Sequence, residues 1–532
     1  MRLAAILLTV AAVAAAARAE APGAAVELFV TDTTAPQDLS IKPVGGQPST
    51  AARLFASPGE AEPFSFALRP HVRLAQVMIA AGDLTGDAGQ IPAARLTVRS
   101  VGDYHGKGRD VLIELGTPWD MAAWSKELFW VTVHVPADAR PGVYRGPVTV
   151  TAESKPVATL DLEVEVLPIA LEDPPWALGY NYSSPKNPAA LAAHLADMRE
   201  HGMTVVAPLY NFHLPIHDDD TSEFGAFIDA YAKAGFRQPL YFATPMELTL
   251  GGLTGYGPID SKRFQQKYIE VMRKLHAEAQ RHPAVPVFFS IGDELTNKGV
   301  RGVEYAGKLA RFVYEELPEL AITSDMNGYK EVMAMAPWLN VATFNNGWDG
   351  IDRHNQGRRL INRDFLTEVR KTGAIPWFVN AQSGRFPFGF FFWKMARYGV
   401  RGKVEWYWCL GKNEKGSVVQ LAGGQIRPTL DYENSREGID DLRYVVTLER
   451  LVAKAKAAGR APAETAAAEA LLAKIADSIR DDWTAYTQGG ETFPLDGFDP
   501  IDPARQAQVG QFNALRRAVV DRILALQKAM KS

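Results

Sequence analysis

The chain has 532 residues, of which 47% are hydrophobic and 22% are charged, so it is too long for one compact domain and too apolar to be disordered. Its 57 basic residues face 61 acidic ones, and because no basic excess is available to neutralise a phosphate backbone, we expect no nucleic-acid partner. The single cysteine, Cys409, excludes an intramolecular disulfide and a cysteine-based zinc site.

The start of the chain has the pattern of a signal peptide. Residues 1–2 form a short positive segment, residues 3–17 form an apolar run, and Ala17 and Ala19 are the small residues of a cleavage site before Glu20. The apolar run is shorter than the roughly 20 residues that a membrane-spanning helix needs, and no later segment qualifies. We therefore interpret residues 1–19 as a signal peptide and expect an exported protein, periplasmic or secreted, with no transmembrane segment.

From residue 26 to residue 172 the apolar residues recur with a period of two. Such runs, separated by Pro, Gly and Asp clusters, predict antiparallel strands that each bury one face. We assign residues 20–173 to an N-terminal antiparallel β-sandwich. Because no titratable groups converge in it, we interpret it as a packing or carbohydrate-contacting accessory domain. The clearest alternating runs are 64–68, 130–135, 148–151 and 160–166.

After residue 174 short apolar runs alternate with segments of helical spacing. This alternation over residues 174–445 predicts a (β/α)8 barrel, with a doubly wound sheet as the alternative. The nearly continuous apolar run before Gly292 is typical of a parallel strand buried on both faces. Residues 446–532 have helical spacing and predict a C-terminal helical region that packs on the barrel. The eight strand-like runs are 176–182, 204–211, 239–244, 285–294, 321–327, 341–347, 375–380 and 403–410.

The fourth run ends in an adjacent pair of carboxylates, Asp293 and Glu294. Catalytic groups of such barrels lie where the strands end. Successive side chains of a regular strand point to opposite faces, so both acids reach one substrate only if the backbone bends, and Gly292 allows a bend. A loop pair in which one acid caps the next helix is the alternative.

Amides and aromatic side chains follow other strands. A sugar offers hydroxyls to amides and an apolar C–H face to indoles. From their positions we place Asn345, Trp348, Trp406, Tyr407 and Arg436 in substrate binding. The sequence contains no metal-binding motif of high specificity, and we expect neither a metal nor a cofactor.

A second catalytic carboxylate is less evident. A retaining glycosidase of the common type needs one roughly 5 Å from the acid, and the seventh run, 375–380, has no acid at its end. Asp349 and Glu405 remain candidates for a protein nucleophile. If neither serves, the 2-acetamido oxygen of the substrate attacks the anomeric carbon, with Glu294 protonating the leaving oxygen and Asp293 orienting the amide.

Three features together resemble glycoside hydrolase family 123. They are the order of sandwich and barrel, the Asp293-Glu294 pair after the fourth strand, and the segment NSREGIDDLRY at residues 434–444. The stretch at residues 130–146 is similar to the domain that precedes the catalytic barrel of that family. The resemblance covers nearly the whole chain after the signal peptide.

The resemblance implies a β-N-acetylgalactosaminidase that acts by substrate-assisted retention through an oxazoline-like intermediate. It makes Asp293 the residue that orients the acetamido group and Glu294 the general acid/base, and it places Trp406 in the wall of the acetamido pocket. It leaves the choice between galacto and gluco configuration open. A glycosidase with a protein nucleophile and a glycan-binding protein without activity are the alternatives.

Overall fold

The structure is a computed structural model that describes residues 26–31, 49–102, 111–209, 212–295, 301–347, 358–409, 417–487 and 511–531. Strands dominate the first part of these ranges, strands alternate with helices in the middle, and helices dominate the end. The predicted fold class, a β-sandwich followed by a (β/α)8 barrel and a helical C-terminal region, is therefore confirmed. The predicted signal peptide, residues 1–19, lies outside the described residues.

The N-terminal domain consists of two facing sheets whose apolar sides form one core. In the last long strand Leu160, Leu162, Val164 and Val166 are buried and the residues between them are more exposed, as the period of two predicts. The strands are β1 (Val26–Thr31), β2 (Ala51–Ala56), β3 (Ala61–Pro70), β4 (Leu74–Ala81), β5 (Leu84–Gly86), β6 (Gly89–Ile91), β7 (Leu96–Gly102), β8 (Val111–Glu114), β9 (Trp119–Met121), β10 (Glu127–His134), β11 (Gly142–Ala152) and β12 (Lys155–Val166).

One sheet has the order β1-β3-β10-β7-β8, and the other has the order β2-β12-β11-β4-β9, with β5 joined to β11 and β6 to β5. The pairs are antiparallel except β2 with β12, which is parallel. That one pair departs from the all-antiparallel sandwich expected from the sequence, because an alternating pattern fixes the buried face of a strand and not its direction.

The barrel consists of parallel strands in the order β14-β13-β20-β19-β18-β17-β16-β15. The backbone N–H of Ala243, just after β15, donates to the carbonyl of Pro208 at the end of β14 at 3.1 Å, which brings the two ends of this sheet together. The strands are β13 (Ala177–Tyr182), β14 (Val205–Pro208), β15 (Leu240–Phe242), β16 (Val287–Asp293), β17 (Ala321–Met326), β18 (Val341–Phe344), β19 (Ile375–Val379) and β20 (Gly402–Glu405).

Helices cover the outside of the barrel and form the C-terminal region, and a hairpin of β21 (Val419–Ala422) and β22 (Gln425–Pro428) precedes the longest helix. In the described ranges no helix is both long and apolar enough to cross a membrane. The helices are α1 (Pro188–Glu200), α2 (Ser222–Lys233), α3 (Lys262–Gln280), α4 (Arg301–Glu316), α5 (Tyr329–Met335), α6 (Arg363–Lys371), α7 (Arg385–Phe388), α8 (Phe390–Ala396), α9 (Leu430–Ala458), α10 (Pro462–Ser478), α11 (Thr484–Thr487) and α12 (Gln511–Lys531).

The long helix α9 has a defined start and end. Thr429 precedes it and its hydroxyl accepts a hydrogen bond from the N–H of Tyr432 at 3.3 Å, while Gly459 adopts a φ of 62° and ends it. The boundary placed at residue 445 from the sequence falls inside this helix. The boundary placed at residue 173 falls in the connection between β12 and β13.

Aromatic side chains fill the interior of the barrel below its mouth. The indole of Trp377 lies parallel to the ring of Tyr241, with 5.9 Å between the ring centroids. A Cβ at Gly402 would overlap this indole, so glycine on β20 makes room for Trp377. Trp408, in contrast, packs outside the strands against Tyr182. This closely packed layer fills the barrel interior beneath the mouth.

Buried charged side chains join the sandwich to α9 and α12. Arg516 of α12 is fully buried and donates to Asp441 of α9 at 2.7 Å and to Glu62 of β3 at 2.9 Å. Arg385 forms a bidentate bond to the same Asp441, at 2.7 and 2.8 Å. Removal of one partner from such a group leaves an uncompensated buried charge, which costs about 3–5 kcal/mol. This network, built around residues 436–441, fixes the two domains against each other.

Candidate active site

A small pocket lies at the carboxyl ends of the barrel strands. Its walls combine three acidic side chains, two amides and one indole with apolar side chains. Because the strand ends of a (β/α)8 barrel converge on one mouth, residues far apart in sequence meet here. The lining residues are Asn181, Leu209, Ala243, Met246, Asp293, Glu294, Asp325, Val379, Asn380 and Trp406.

The end of β16 is irregular, and this irregularity brings both Asp293 and Glu294 to the pocket. The pairing with β17 is regular as far as Ser290 and resumes, shifted, at Asp293. Glu294 adopts a φ of 42°, and its N–H donates to the carbonyl of Asp325 at 2.8 Å. The strict alternation of side chains is therefore broken between the two acids, as the Gly292 bend predicts.

Gly292 and nearby hydroxyls hold this bend. A Cβ on Gly292 would lie 2.8 Å from a methyl group of Leu295, so a larger residue would require the buried Leu295 side chain to shift. The carbonyl oxygen of Gly292 accepts from the hydroxyls of Ser324 at 2.9 Å and Ser290 at 3.2 Å. The carbonyl groups that leave the regular ladder are thus satisfied, which fixes the acid pair in place.

Asn345 at the end of β18 contacts the second acid. Its side-chain oxygen accepts from the N–H of Gly347 at 2.8 Å, which orients the amide so that Nδ2 points to Glu294. The distance from Nδ2 to Oε1 of Glu294 is 3.5 Å. The side chain is buried. The structure thus places Asn345 beside Glu294, where it can orient the carboxyl group.

Trp406 and Tyr407 lie together after β20. Trp406 lines the pocket and is 41% exposed, which leaves one part of the indole open to a ligand. Tyr407 is buried and its ring meets the indole edge-on, with centroids 4.9 Å apart. Tyr407 therefore supports Trp406 and is not among the residues that line the pocket.

Other site residues inferred from the sequence lie elsewhere. Trp348 and Asp349 fall outside the described residues. Arg436 was expected in substrate binding, and the structure corrects this expectation. The side chain is buried on α9 and pairs with Glu433 at 2.7 Å. Arg99 of the sandwich contacts the same carboxylate at 3.2 Å. Arg436 belongs to the interface between the domains, because the buried Glu433 needs its charge there.

Glu405, the alternative nucleophile on β20, already has strong partners. Its Oε2 accepts from the ammonium group of Lys403 at 2.6 Å and from the N–H of Ala381 at 2.9 Å. Both Lys403 and Glu405 are buried, and burial lowers the pKa of Lys403 while Glu405 opposes that shift. Glu405 does not line the pocket. The arrangement ties this carboxylate to a structural ion pair.

Sequence reasoning missed Asp325 on β17. The carboxyl group lines the pocket and accepts from the hydroxyl of Tyr241 at 2.6 Å. Burial raises the pKa of Asp325 well above its usual value, and the neighbouring Asp293 adds to the shift. The one signal in the sequence was the position of Asp325 near the end of the predicted strand 321–327.

Two amides of the pocket were also missed. Asn181 at the end of β13 and Asn380 after β19 both line it. The side-chain oxygen of each is buried without a hydrogen-bond partner among the described residues. Because buried acceptors are normally satisfied, these two oxygens are available for donors of a ligand.

The fold is similar to that of a known glycoside hydrolase. A family 123 glycoside hydrolase from Clostridium perfringens aligns with a TM-score of 0.61 at 14% identity, over 94% of this chain and 98% of that chain. A family 39 glycoside hydrolase from Bacteroides cellulosilyticus aligns with a TM-score of 0.37 at 12% identity, over 65% and 77%. A β-galacturonidase of family 2 from Eisenbergiella tayi aligns with a TM-score of 0.32 at 12% identity, over 71% and 69%.

The first of these likenesses confirms, at the level of the fold, the resemblance that the sequence indicates. The other two are too distant to carry an argument. No family model and no curated protein sequence matches the chain.

Proposed function

We propose that this chain, which has the fold of a family 123 glycoside hydrolase, is an exported retaining glycosidase that removes β-linked 2-acetamido sugars, most specifically β-N-acetylgalactosamine. The observation that carries the proposal is the bend of β16, which presents Asp293 and Glu294 side by side in one pocket at the barrel mouth. An adjacent acid pair suits a reaction in which the substrate supplies the nucleophile, because the two acids then serve different atoms of one sugar.

The two acids have separate roles in the proposed reaction. Glu294 protonates the leaving oxygen and then takes a proton from the attacking water, and Asn345 orients its carboxyl group. Asp293 accepts the acetamido N–H and stabilises the positive charge that develops as the amide oxygen attacks the anomeric carbon. The indole of Trp406 contacts the apolar part of the acetamido group.

The surroundings of the other carboxyl groups support a substrate nucleophile. Glu405 is held by Lys403, and Asp325 accepts from Tyr241 and has a raised pKa, which makes it a poor nucleophile. The competing mechanism uses Asp349 or Glu405 as the nucleophile on a sugar without an acetamido group. It requires a covalent glycosyl-enzyme, which a mechanism-based fluorosugar traps.

Paired chromogenic substrates test the proposal. We expect hydrolysis of an aryl β-N-acetylgalactosaminide and loss of most activity when the 2-acetamido group is replaced by a hydroxyl. The gluco epimer of the same substrate, measured in parallel, shows which configuration of the C4 hydroxyl the enzyme prefers. The Glu294→Gln variant is the control, measured with an aryl group that needs protonation, and its kcat should fall by about 10²- to 10⁴-fold. Equal turnover of the acetamido and hydroxyl substrates, or an unchanged kcat in the control, would refute the proposal.

A further inference from the structure

Three carboxyl groups share the pocket. Asp293 and Glu294 come from β16, and Asp325 comes from β17. None of the described residues that line the pocket is a lysine or an arginine. Like charges within a few ångströms disfavour simultaneous ionisation, so three carboxylates in one small pocket cannot all be charged at neutral pH.

A metal ion would be the alternative way to balance such a cluster. Within the described ranges, no group of three or more His, Cys, Asp or Glu side chains is arranged to hold one. Among the described residues, protons are therefore what can balance the charge of this cluster. At least one of the three carboxyl groups then keeps its proton at neutral pH.

Asp325 is the group with the strongest reason to stay neutral. It is 8% exposed, and the titratable groups that face it are Asp293 and Glu294 from β16, Tyr241 from β15 and Glu331 from α5. All four are acids, and three of them are carboxylic. Tyr241 is fully buried and donates to Oδ1 of Asp325 at 2.6 Å. The proton of a neutral Asp325 therefore resides on Oδ2.

The position of Asp325 directs that proton toward Asp293. The two residues pair across β16 and β17, and neighbouring strands are about 4.8 Å apart, so their side chains stand on the same face within reach of each other. The N–H of Glu294 also donates to the carbonyl of Asp325, which fixes the two strand ends together. A neutral Asp325 in this place can donate to the carboxylate of Asp293.

We propose that Asp325 is kept as a neutral carboxylic acid and, by donating a hydrogen bond to Asp293, positions that residue as the one ionised carboxylate of the pocket. This inference rests on the proposed function for its consequence in catalysis. A hydrogen bond to the charged form of Asp293 favours that form. The pocket then contains one negative charge, which matches the one positive charge of an oxazolinium-like transition state. Asp325 is a positioning residue, because it acts through Asp293.

Two substitutions distinguish whether Asp325 acts as a neutral hydrogen-bond donor or as a charged carboxylate. Asp325→Asn keeps a donor of the same shape, whereas Asp325→Leu removes it. We expect kcat of the Asn variant to fall by no more than about tenfold, and kcat of the Leu variant to fall by about 10- to 100-fold beyond that, the usual effect of losing a hydrogen bond to a charged group. KM should change by less than kcat in both. If the Asn variant is as impaired as the Leu variant, Asp325 acts as an ion and the inference is wrong.

A measurement of thermal unfolding tests the protonation without any substrate. A carboxyl group whose folded-state pKa is raised stabilises the fold at low pH and loses that contribution as the pH rises. The wild-type Tm, relative to that of Asp325→Asn, should therefore fall as the pH rises above the usual pKa of an aspartate. A constant difference would overturn the inference. This result is independent of turnover, so a wild-type protein that hydrolyses no acetamido sugar would contradict the proposed function and leave the state of Asp325 to be decided by the melting curves.

Discussion

The ammonium group of Lys403 lies 2.6 Å from the carboxylate of Glu405, and both side chains are buried, with Lys403 over the ring of Phe388. Glu405 ends the eighth barrel strand and is, with Asp349, one of the two candidates for a protein nucleophile. The ion pair gives Glu405 a structural role and counts against it as the nucleophile.

Glu405→Gln should therefore change stability more than chemistry. The substitution leaves Lys403 charged and buried without its partner, at a cost of about 3–5 kcal/mol in unfolding free energy. We expect a clear fall in Tm, with kcat within about tenfold of wild type at a temperature where the variant is folded. The double variant Lys403→Met with Glu405→Gln, which removes the charge left behind, should recover much of the Tm. A nucleophile would instead lose nearly all kcat at unchanged Tm.

The effect on kcat of substituting Glu294 should depend on the leaving group of the substrate, and the effect of substituting Asp293 should not. For Glu294→Gln we expect kcat to fall by about 10²- to 10⁴-fold with an aryl group that needs protonation, and much less with a dinitrophenyl group that leaves without a proton. Asp293→Asn should impair both substrates similarly, because its role concerns the acetamido group. Steady-state kinetics of the two variants with both substrates measures this. Identical patterns for the two variants would contradict the separate roles.

Asn181→Leu should weaken substrate binding without weakening the fold. The buried oxygen of Asn181 has no partner among the described residues, and an unsatisfied buried acceptor costs about 1–3 kcal/mol. An apolar side chain of similar shape removes that cost, so we expect an unchanged or higher Tm together with a raised KM. Asn380→Ala provides the comparison at the second unpartnered amide. A lower Tm with unchanged KM would show that Asn181 serves the fold alone.

The charged interface between the domains should make stability depend on pH. Glu60 accepts from the hydroxyl of Tyr444 at 2.6 Å, and burial together with the charge of Asp440 raises the pKa of Glu60 to about 7, against the opposing effect of Arg516. Because the pKa is 4.5 in the unfolded chain, the folded state binds the proton more tightly. The contribution to stability is complete below pH 4.5 and is lost as the pH rises through about 7.

Glu60→Gln removes this titration and keeps the shape of the side chain. We expect the variant to lose less Tm than wild type between pH 5 and pH 8, as measured by thermal denaturation across that range. An exposed carboxylate, Asp364 on α6, offers a control that should not alter the slope when changed to Asn. If wild type and Glu60→Gln show the same slope, the proton on Glu60 does not contribute to docking of the sandwich.

The sequence predicted the barrel strands well because each is an apolar run between turn residues. The bend at Gly292 was also predictable, since two adjacent acids can serve one pocket only if the alternation breaks there. Asp325 was missed because a single acid in the run AITSDM has no partner in the sequence, and its partner Asp293 becomes visible only when β16 and β17 pair.

Arg436 was misplaced for a related reason. Its position after the last barrel strand suggested a place in the substrate site, but on α9 Arg436 pairs with Glu433 beside Arg99 of the sandwich. On the same helix Asp441 pairs with Arg516 of α12. Gly438 of this helix faces α7, because a Cβ there would collide with the carbonyl of Arg385. A helix pattern alone does not tell which neighbour a buried charge meets, so an interface between domains and an active site give the same signal in the sequence.

The central claim, that the acetamido group of the substrate is the nucleophile, is tested most directly by a series of aryl β-N-acetylgalactosaminides whose acetyl group carries zero to three fluorine atoms. Fluorine withdraws electrons from the amide oxygen and weakens it as a nucleophile, while the leaving group stays the same. We expect kcat/KM to fall steeply and regularly with each added fluorine. A kcat/KM that is unaffected by fluorine would contradict the account.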